Sequence, residues 1–352
     1  MSSEPSKGRK YIAAWLYLIS FLVFAMVVLG GLTRLTGSGL SMVDWRLIMG
    51  AIPPLHEGDW LRVFEQYQQF PEYKIHNSAM TLAEFKFIFF MEYAHRLLGR
   101  LIGLVFLVPF IFFWAKHWLT AKQIRQYGLL FFLGGLQGLV GWYMVKSGLV
   151  DVPRVSQYRL VMHLLLALMV VSLSLWFAFS LAPAPRAEEA PPTGFKAHIA
   201  AILVLLAMQI TGGGFVAGLR AGFIFNSFPT MNGQWIPDGL WLHHPWYLNF
   251  FENPVTAQFL HRNLAYGVAI LIVTLYLRFL KKPLSIRFRR GLHATALLLT
   301  LQISLGILTL IYRVPVALAS AHQAVAVLLL AAVLFLCHQA YQPPGAETRT
   351  AV

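Results

Sequence analysis

The sequence contains one cysteine, Cys337, and little charge. A single thiol forms no intrachain disulfide and no multi-cysteine metal site. Charged residues make up 12% of the chain, about half the share of an ordinary soluble domain. Acids are the scarcer sign, with 14 Asp and Glu against 28 Lys and Arg, for a net charge of +14. Such an excess can mark a nucleic-acid binder. Here the basic residues cluster in short segments between apolar runs, so no nucleic-acid partner is expected.

What the chain has in quantity is long apolar runs. Of its 352 residues, 58% are hydrophobic, with a mean hydropathy of +0.63. Eight runs approach the roughly 20 residues that span a bilayer: 11–32, 93–115, 126–146, 158–181, 196–217, 257–280, 290–312 and 317–339. The expected fold is an all-α integral membrane protein with eight transmembrane helices, arranged as two pseudo-repeated four-helix bundles. Lys7, Arg9, Lys10, Lys116, Lys122, Arg125, Lys281, Lys282, Arg287, Arg289 and Arg290 fall on short segments of one side, which places that side and both termini in the cytoplasm. The first run lacks a small-residue cleavage site and reads as a retained anchor. Only ten residues precede it, too few for a transit peptide, which points to a bacterial inner membrane.

The outer segments are unequal. Residues 33–92 form a long one, opening with Thr33-Arg34-Leu35-Thr36-Gly37-Ser38-Gly39-Leu40-Ser41, whose glycines permit tight turns against a ligand. Thr81 with Glu84 fits a capping box, so the second helix is expected to start outside the membrane and run inwards. Residues 218–256 form the other long loop, and its tryptophans suit a cover at headgroup level. The Pro-rich stretch 182–195 reads as a linker between an N-terminal bundle, 1–181, and a C-terminal bundle, 196–352. The halves repeat weakly: Gly30-Gly31 answers Gly212-Gly213-Gly214, Leu136-Gln137 answers Leu301-Gln302, and His163 answers His322. Small-residue spacings, Gly134 with Gly138 and Gly214 with Gly218, suggest close helix packing.

Position sorts the twelve histidines. His56, His76, His243 and His244 fall in outer loops, and His117, His198, His293 and His338 near cytoplasmic helix ends, where solvated or interfacial imidazoles are ordinary. His95, His163, His261 and His322 instead lie near the outer ends of even-numbered spans, two per half. A satisfied core histidine is the usual reading of any one of them. Four at one depth, repeated in both halves, point to axial ligation of two haems by facing helices, His95 with His163 and His261 with His322. Zinc fits less well, because each pair lacks evident third and fourth ligands. Arg96 and Arg262 follow their histidines by one position and suit either haem propionates or snorkelling to outer headgroups.

The halves differ at one costly position. Glu92 precedes His95 by three residues and shares its helix face, while the matching position holds Gln258. A carboxylate there can move protons or stabilise positive charge, and an amide cannot do the proton work. The first half therefore reads as reactive and the second as a passive cofactor site. An ion pair of Glu92 with Arg96 or Arg100 is the plainer alternative.

These residues resemble the haem A synthase family of bacteria and mitochondria, whose members make haem A for cytochrome oxidases. The resemblance is carried by the stretch Gly30–Ser41, by Pro71-Glu72-Tyr73-Lys74, Met80–Ile88 and Glu92-Tyr93-Ala94-His95-Arg96. It continues in Asn226-Ser227-Phe228-Pro229, Gly233-Gln234-Trp235-Ile236-Pro237 and Asn249-Phe250-Phe251-Glu252-Asn253-Pro254, so it covers almost the whole chain. It implies haem O as substrate and haem A as product between His95 and His163, and a haem b cofactor between His261 and His322. It also implies that the acid at Glu92 serves the oxidation of a haem methyl to formyl by successive hydroxylations. Membrane lipid surrounds such a protein, and a haem O synthase and an electron-transfer partner are implied beside it. The chain matches the branch without outer-loop cysteine pairs, which excludes a thiol electron relay. Leu260 stands before His261 where many members carry a polar residue, so no supporting hydrogen bond is expected from that position. The competing readings are a di-haem cytochrome taking electrons from quinol, and a repeat-built transporter, which would place its polar residues at the midplane.

Overall fold

The computed structural model describes residues 6–43, 52–148, 155–182 and 193–341. Eleven α-helices occur among them: α1 (Ser6–Leu35), α2 (Glu57–Gln68), α3 (Pro71–His76), α4 (Leu82–Ala115), α5 (Ala121–Gly148), α6 (Gln157–Ser180), α7 (Phe195–Gly218), α8 (Asn249–Glu252), α9 (Pro254–Phe279), α10 (Ile286–Ile311) and α11 (Val316–Tyr341). No strand occurs among the described residues beyond an isolated bridge between Met231 and Gln234. Eight helices are long and apolar enough to cross a membrane: α1, α4 to α7 and α9 to α11. This is a multi-pass membrane protein. The expected spans fall inside these helices to within a few residues, except that α4 begins well before residue 93.

The reason for the early start is the cap at Thr81. Its hydroxyl accepts from the Glu84 backbone N–H at 3.4 Å, and the Glu84 carboxylate accepts from the Thr81 N–H at 2.8 Å. Two otherwise orphaned donors are thus satisfied in one reciprocal motif. At 34 residues, α4 is about 51 Å long, well beyond the roughly 30 Å of hydrocarbon. Pro109 lies inside it, as membrane helices tolerate.

The chain divides into two compact units, Leu18–Val171 and Met1–Tyr17 with Ser172–Val352. Most of the expected linker, 183–192, lies outside the described residues.

In the first of these units the segment 33–92 is not a bare loop. Helices α2 and α3 form an outer core against the projecting end of α4. Trp60, Tyr67, Phe85, Ile88, Phe89 and Met42 are buried there, with Phe64 and Tyr73 packed against them. Tyr67 stacks on Phe85 with centroids 5.1 Å apart, and Trp60 meets Phe89 edge-on at 5.0 Å. Aromatic faces supply large apolar area with few torsions to freeze.

In the other unit, α7 packs with α9 and α11, and α10 with α11. Phe195, Phe279 and Phe288 are fully buried and meet edge to face at 5.0 and 5.3 Å. The outer segment between α7 and α9 is tied by buried asparagines. Asn249 bonds the backbone N–H and carbonyl of His243, each at 2.9 Å. Asn253 donates to the Gly239 carbonyl at 2.7 Å and caps α9 by accepting from Val255 N–H. Trp235, Trp241 and Trp246 remain exposed on this segment.

Candidate functional site

The four singled-out histidines lie on four different helices, in two pairs. His95 (α4) and His163 (α6) are close enough to act on each other electrostatically, as are His261 (α9) and His322 (α11). Each pair falls within one unit. Among the described residues, no group of three or more His, Cys, Asp or Glu side chains is placed to hold a common metal ion. What each unit offers is a pair of imidazoles.

Glycines explain how bulky rings fit here. A Cβ at Gly30 would stand 3.2 Å from His95 Nε2, at Gly141 3.0 Å from His163 Cε1, at Gly213 3.0 Å from His261 Cε1, and at Gly306 2.8 Å from His322 Cε1. Every imidazole thus rests on a glycine of the preceding long helix, a close approach that a Cβ would crowd, most severely at Gly306. The orientation differs at His95, which turns Nε2 to its glycine where the others turn Cε1. The expected close packing at Gly134 and Gly138 is absent, because a Cβ at either would meet nothing within 4 Å.

Three of these glycines have a glutamine one turn earlier. Gln209 Nε2 lies 3.4 Å from His261 Nε2, Gln302 Nε2 lies 3.4 Å from His322 Nε2, and Gln137 Nε2 donates to the His163 carbonyl at 3.1 Å. At the fourth position stands Met26. His322 Nδ1 also lies 3.1 Å from the Gln302 carbonyl. Donation from Nδ1 to that carbonyl would leave Nε2 as the nitrogen free to ligate a metal. The Nδ1 atoms of His163 and His261 and the Oε1 atoms of Gln137, Gln209 and Gln302 are buried without hydrogen-bond partners. Buried polar atoms are seldom left so, and here they gather around the histidine pairs. An iron-centred group with polar edges fits such pockets of imidazole, amide and glycine.

Above each pair sits a latch on the outer segment. Glu92 is 2% exposed. Its Oε2 accepts from the Ser41 hydroxyl at 2.7 Å and the Met42 N–H at 2.8 Å, and its Oε1 pairs with the Arg96 guanidinium at 2.5 Å. Arg96 also donates to the Met42 carbonyl at 2.8 Å. The ion pair foreseen as the plainer alternative therefore exists, and it pins the glycine-bearing turn after α1. Within that turn Gly37 has φ +67°, Ser38 N–H donates to the Thr33 carbonyl at 2.8 Å, and Ser38 and Ser41 are fully buried.

The second latch uses the same positions. Gln258 donates to the Phe225 carbonyl at 3.1 Å, and Arg262 donates to the carbonyls of Phe225 at 3.0 Å, Ser227 at 2.9 Å and Thr230 at 3.3 Å. The Nε of Arg262 and the Oε1 of Gln258 remain without partners.

Comparison with known proteins agrees with this architecture. A family model described as cytochrome oxidase assembly protein, COX15-CtaA, matches residues 13–334. The haem A synthase of Nitrosospira multiformis is 47% identical over 333 residues, 94% of each chain. That of Flavobacterium psychrophilum is 44% identical over 95% of this chain and 99% of its own. The human haem A synthase COX15 is 44% identical over 97% of this chain and 86% of its own. The chain belongs to the COX15-CtaA family of cytochrome oxidase assembly proteins.

The sequence singles out the four histidines and Glu92, which the structure brings together as two imidazole pairs and a latch, but it does not reveal several of their neighbours. Ser41 and Met42 were not assigned to Glu92, because the contacts span about fifty residues. Gln209 was missed although its signal was present: Gln-x-x-x-Gly recurs at 137–141, 209–213 and 302–306. Of the two readings, solvated or interfacial, the solvated one is excluded at His338, which is 3% exposed and lies 3.0 Å from the Ser180 hydroxyl near the end of α11. His198 likewise turns inward, its Nε2 2.8 Å from the Leu271 carbonyl. His56, His76, His117, His244 and His293 are exposed, and His243 is partly buried.

Proposed function

We propose that this chain is a haem A synthase, oxidising the methyl group of haem O to formyl by successive hydroxylations. The observation that carries the reading is the carboxylate that distinguishes one of two similarly built histidine pairs. Both rest on glycines, but only the pair His95 and His163 lies beneath a carboxylate latch. Haem O, and haem A after it, would be held by His95 and His163. His261 and His322 would hold haem b, which supplies a one-electron redox centre when bound.

The hydrogen bonding of Glu92 bears on its role. Both oxygens already accept from donors, so the carboxylate favours holding fixed negative charge over abstracting a proton. Fixed charge aimed at a carbon that becomes electron-poor lowers the barrier without reorganisation. The second hydroxylation gives a hydrate that loses water to leave the formyl group. Arg262, through its unpartnered Nε, and Arg96 are assigned to the propionate edges of the two sites. The Gly37-Ser38-Gly39 turn forms the cover over the exchangeable substrate.

We place the protein in a bacterial inner membrane with both termini cytoplasmic and the histidine pairs towards the periplasmic side. Residues 1–181 are the substrate half, 182–195 a cytoplasmic linker and 196–352 the cofactor half. A haem O synthase would supply the substrate, and a separate electron-transfer protein would take up the electrons. The synthase names of the relatives give no support to an electron-transfer cytochrome. The test is pigment extraction from protein purified out of cells that make haem O, with chromatographic separation. Haem B together with haem O or haem A is expected. Haem B alone, at two per chain, would overturn the reading.

A further inference from the structure

A second carboxylate lies in the same unit as Glu92, on the outer side of it. Glu72, in α3, is partly buried and accepts from the Tyr67 hydroxyl at 3.3 Å. Tyr67 is 0% exposed, and its oxygen accepts in turn from Asn77 Nδ2 at 2.7 Å. The Tyr67 ring stacks on Phe85, two turns before Glu92 on α4, about 10 Å nearer the outer end. The other described acids of this outer region are spoken for or solvated. Asp59 pairs with Arg62, Glu84 caps α4, and Glu57 and Glu65 are exposed. Among the described residues Glu72 has no basic partner. Burial first, then the charge of Glu92, push its carboxyl up to about 7, against the opposing pull of the Tyr67 hydrogen bond. Lys74 and His76 on its own helix are exposed, so Tyr67 from α2 and Glu92 from α4 are the groups that act on it. A group poised near neutrality exchanges protons readily in both directions.

With water as the oxygen source, each hydroxylation follows R–CH3 + H2O → R–CH2OH + 2 H⁺ + 2 e⁻, the electrons passing to a membrane electron carrier of the quinone or cytochrome class. We propose that Glu72 is the proton acceptor through which this site discharges protons to the outer face. The inference rests on the function proposed above. The carboxylate takes a proton arriving from the side of Glu92 to become the neutral acid, and returns it to water at the edge of α3. Glu72 thus acts on protons leaving the surroundings of Glu92, whose own charge stays fixed, rather than on the substrate, and is a positioning residue for protons.

The competing possibility is that Glu72 merely staples the α2–α3 turn by its bond to Tyr67. Glu72→Gln separates the two, because an amide oxygen still accepts from Tyr67 but takes up no proton. In membranes supplied with haem O, the wild-type rate of haem A formation is expected to fall as pH drops through about 7, since only the ionised carboxylate accepts. In Glu72→Gln the rate at pH 8 is expected to be about 10²-fold lower, without that pH limb and with bound haem O unchanged. A wild-type rate and pH profile in Glu72→Gln overturns the proposal. Tyr67→Phe removes the bond that lowers Glu72, so its limb is expected at higher pH. An unmoved limb there overturns the proposal even if Glu72→Gln does not fold. A wild-type protein that binds haem O but makes no haem A defeats the proposed function instead.

Discussion

In α4 and α9, the same two positions hold the preceding segment by opposite hydrogen-bond polarity. Glu92 accepts from Ser41 and Met42, whereas Gln258 donates to Phe225. Arg96 and Arg262, four residues further on, both donate to loop carbonyls. The scaffolding need is therefore met equally well by an amide and by a carboxylate. A buried charge is not required to hold a loop, and it is costly to desolvate. The difference supports a role for the Glu92 carboxylate besides loop packing, in the reaction proposed for its unit.

The comparison breaks most sharply at the charge itself. Glu92→Gln is expected to lower haem A formation by about 10²–10³-fold while haem remains bound, whereas Gln258→Glu is expected to change turnover by less than about tenfold. Equal losses in the two variants would remove the asymmetry. Next in size is stability. Arg96→Ala strands a buried carboxylate and should cost about 3–5 kcal/mol. Arg262→Ala strands neutral carbonyls and should cost about 1–3 kcal/mol. Thermal unfolding in detergent ranks the pair, and an equal or reversed order contradicts the account.

The glycine seats sharpen the comparison further. Gly306→Ala, with a Cβ 2.8 Å from His322, should disturb haem absorption more than Gly30→Ala, where the gap is 3.2 Å. Overpacking of this kind costs about 1–3 kcal/mol. The smallest effect belongs to Gly134→Ala, where a Cβ meets nothing within 4 Å. It should leave the spectrum unchanged and stabilise α5 by about 0.5–1 kcal/mol.

What was legible in the sequence was whatever violates its local setting. An acid, histidines and arginines at the edge of apolar runs are costly there, so Glu92, His95 and His261 declare themselves. The Thr81–Glu84 box was equally readable, because both partners lie within one turn. The outer core of α2, α3 and α4 was not. Its aromatics, such as Trp60 and Tyr67, are scattered through a polar stretch with no run of membrane length. Glycine spacing also misled at Gly134 and Gly138, because spacing reports opportunity while the seats at Gly141 and Gly306 depend on which helix face meets a histidine. The burial of His338 was not legible for a similar reason: its partner Ser180 lies 158 residues away.

The central claim is that the two histidine pairs hold different haems. It is tested most directly by extracting and quantifying haems from His95→Ala, His163→Ala, His261→Ala and His322→Ala proteins purified from cells that make haem O. Loss of haem O and haem A with haem B retained is expected for the first two, and loss of haem B for the last two. Loss of haem B from His95→Ala with haem O still bound would contradict the assignment of substrate to the Glu92 unit.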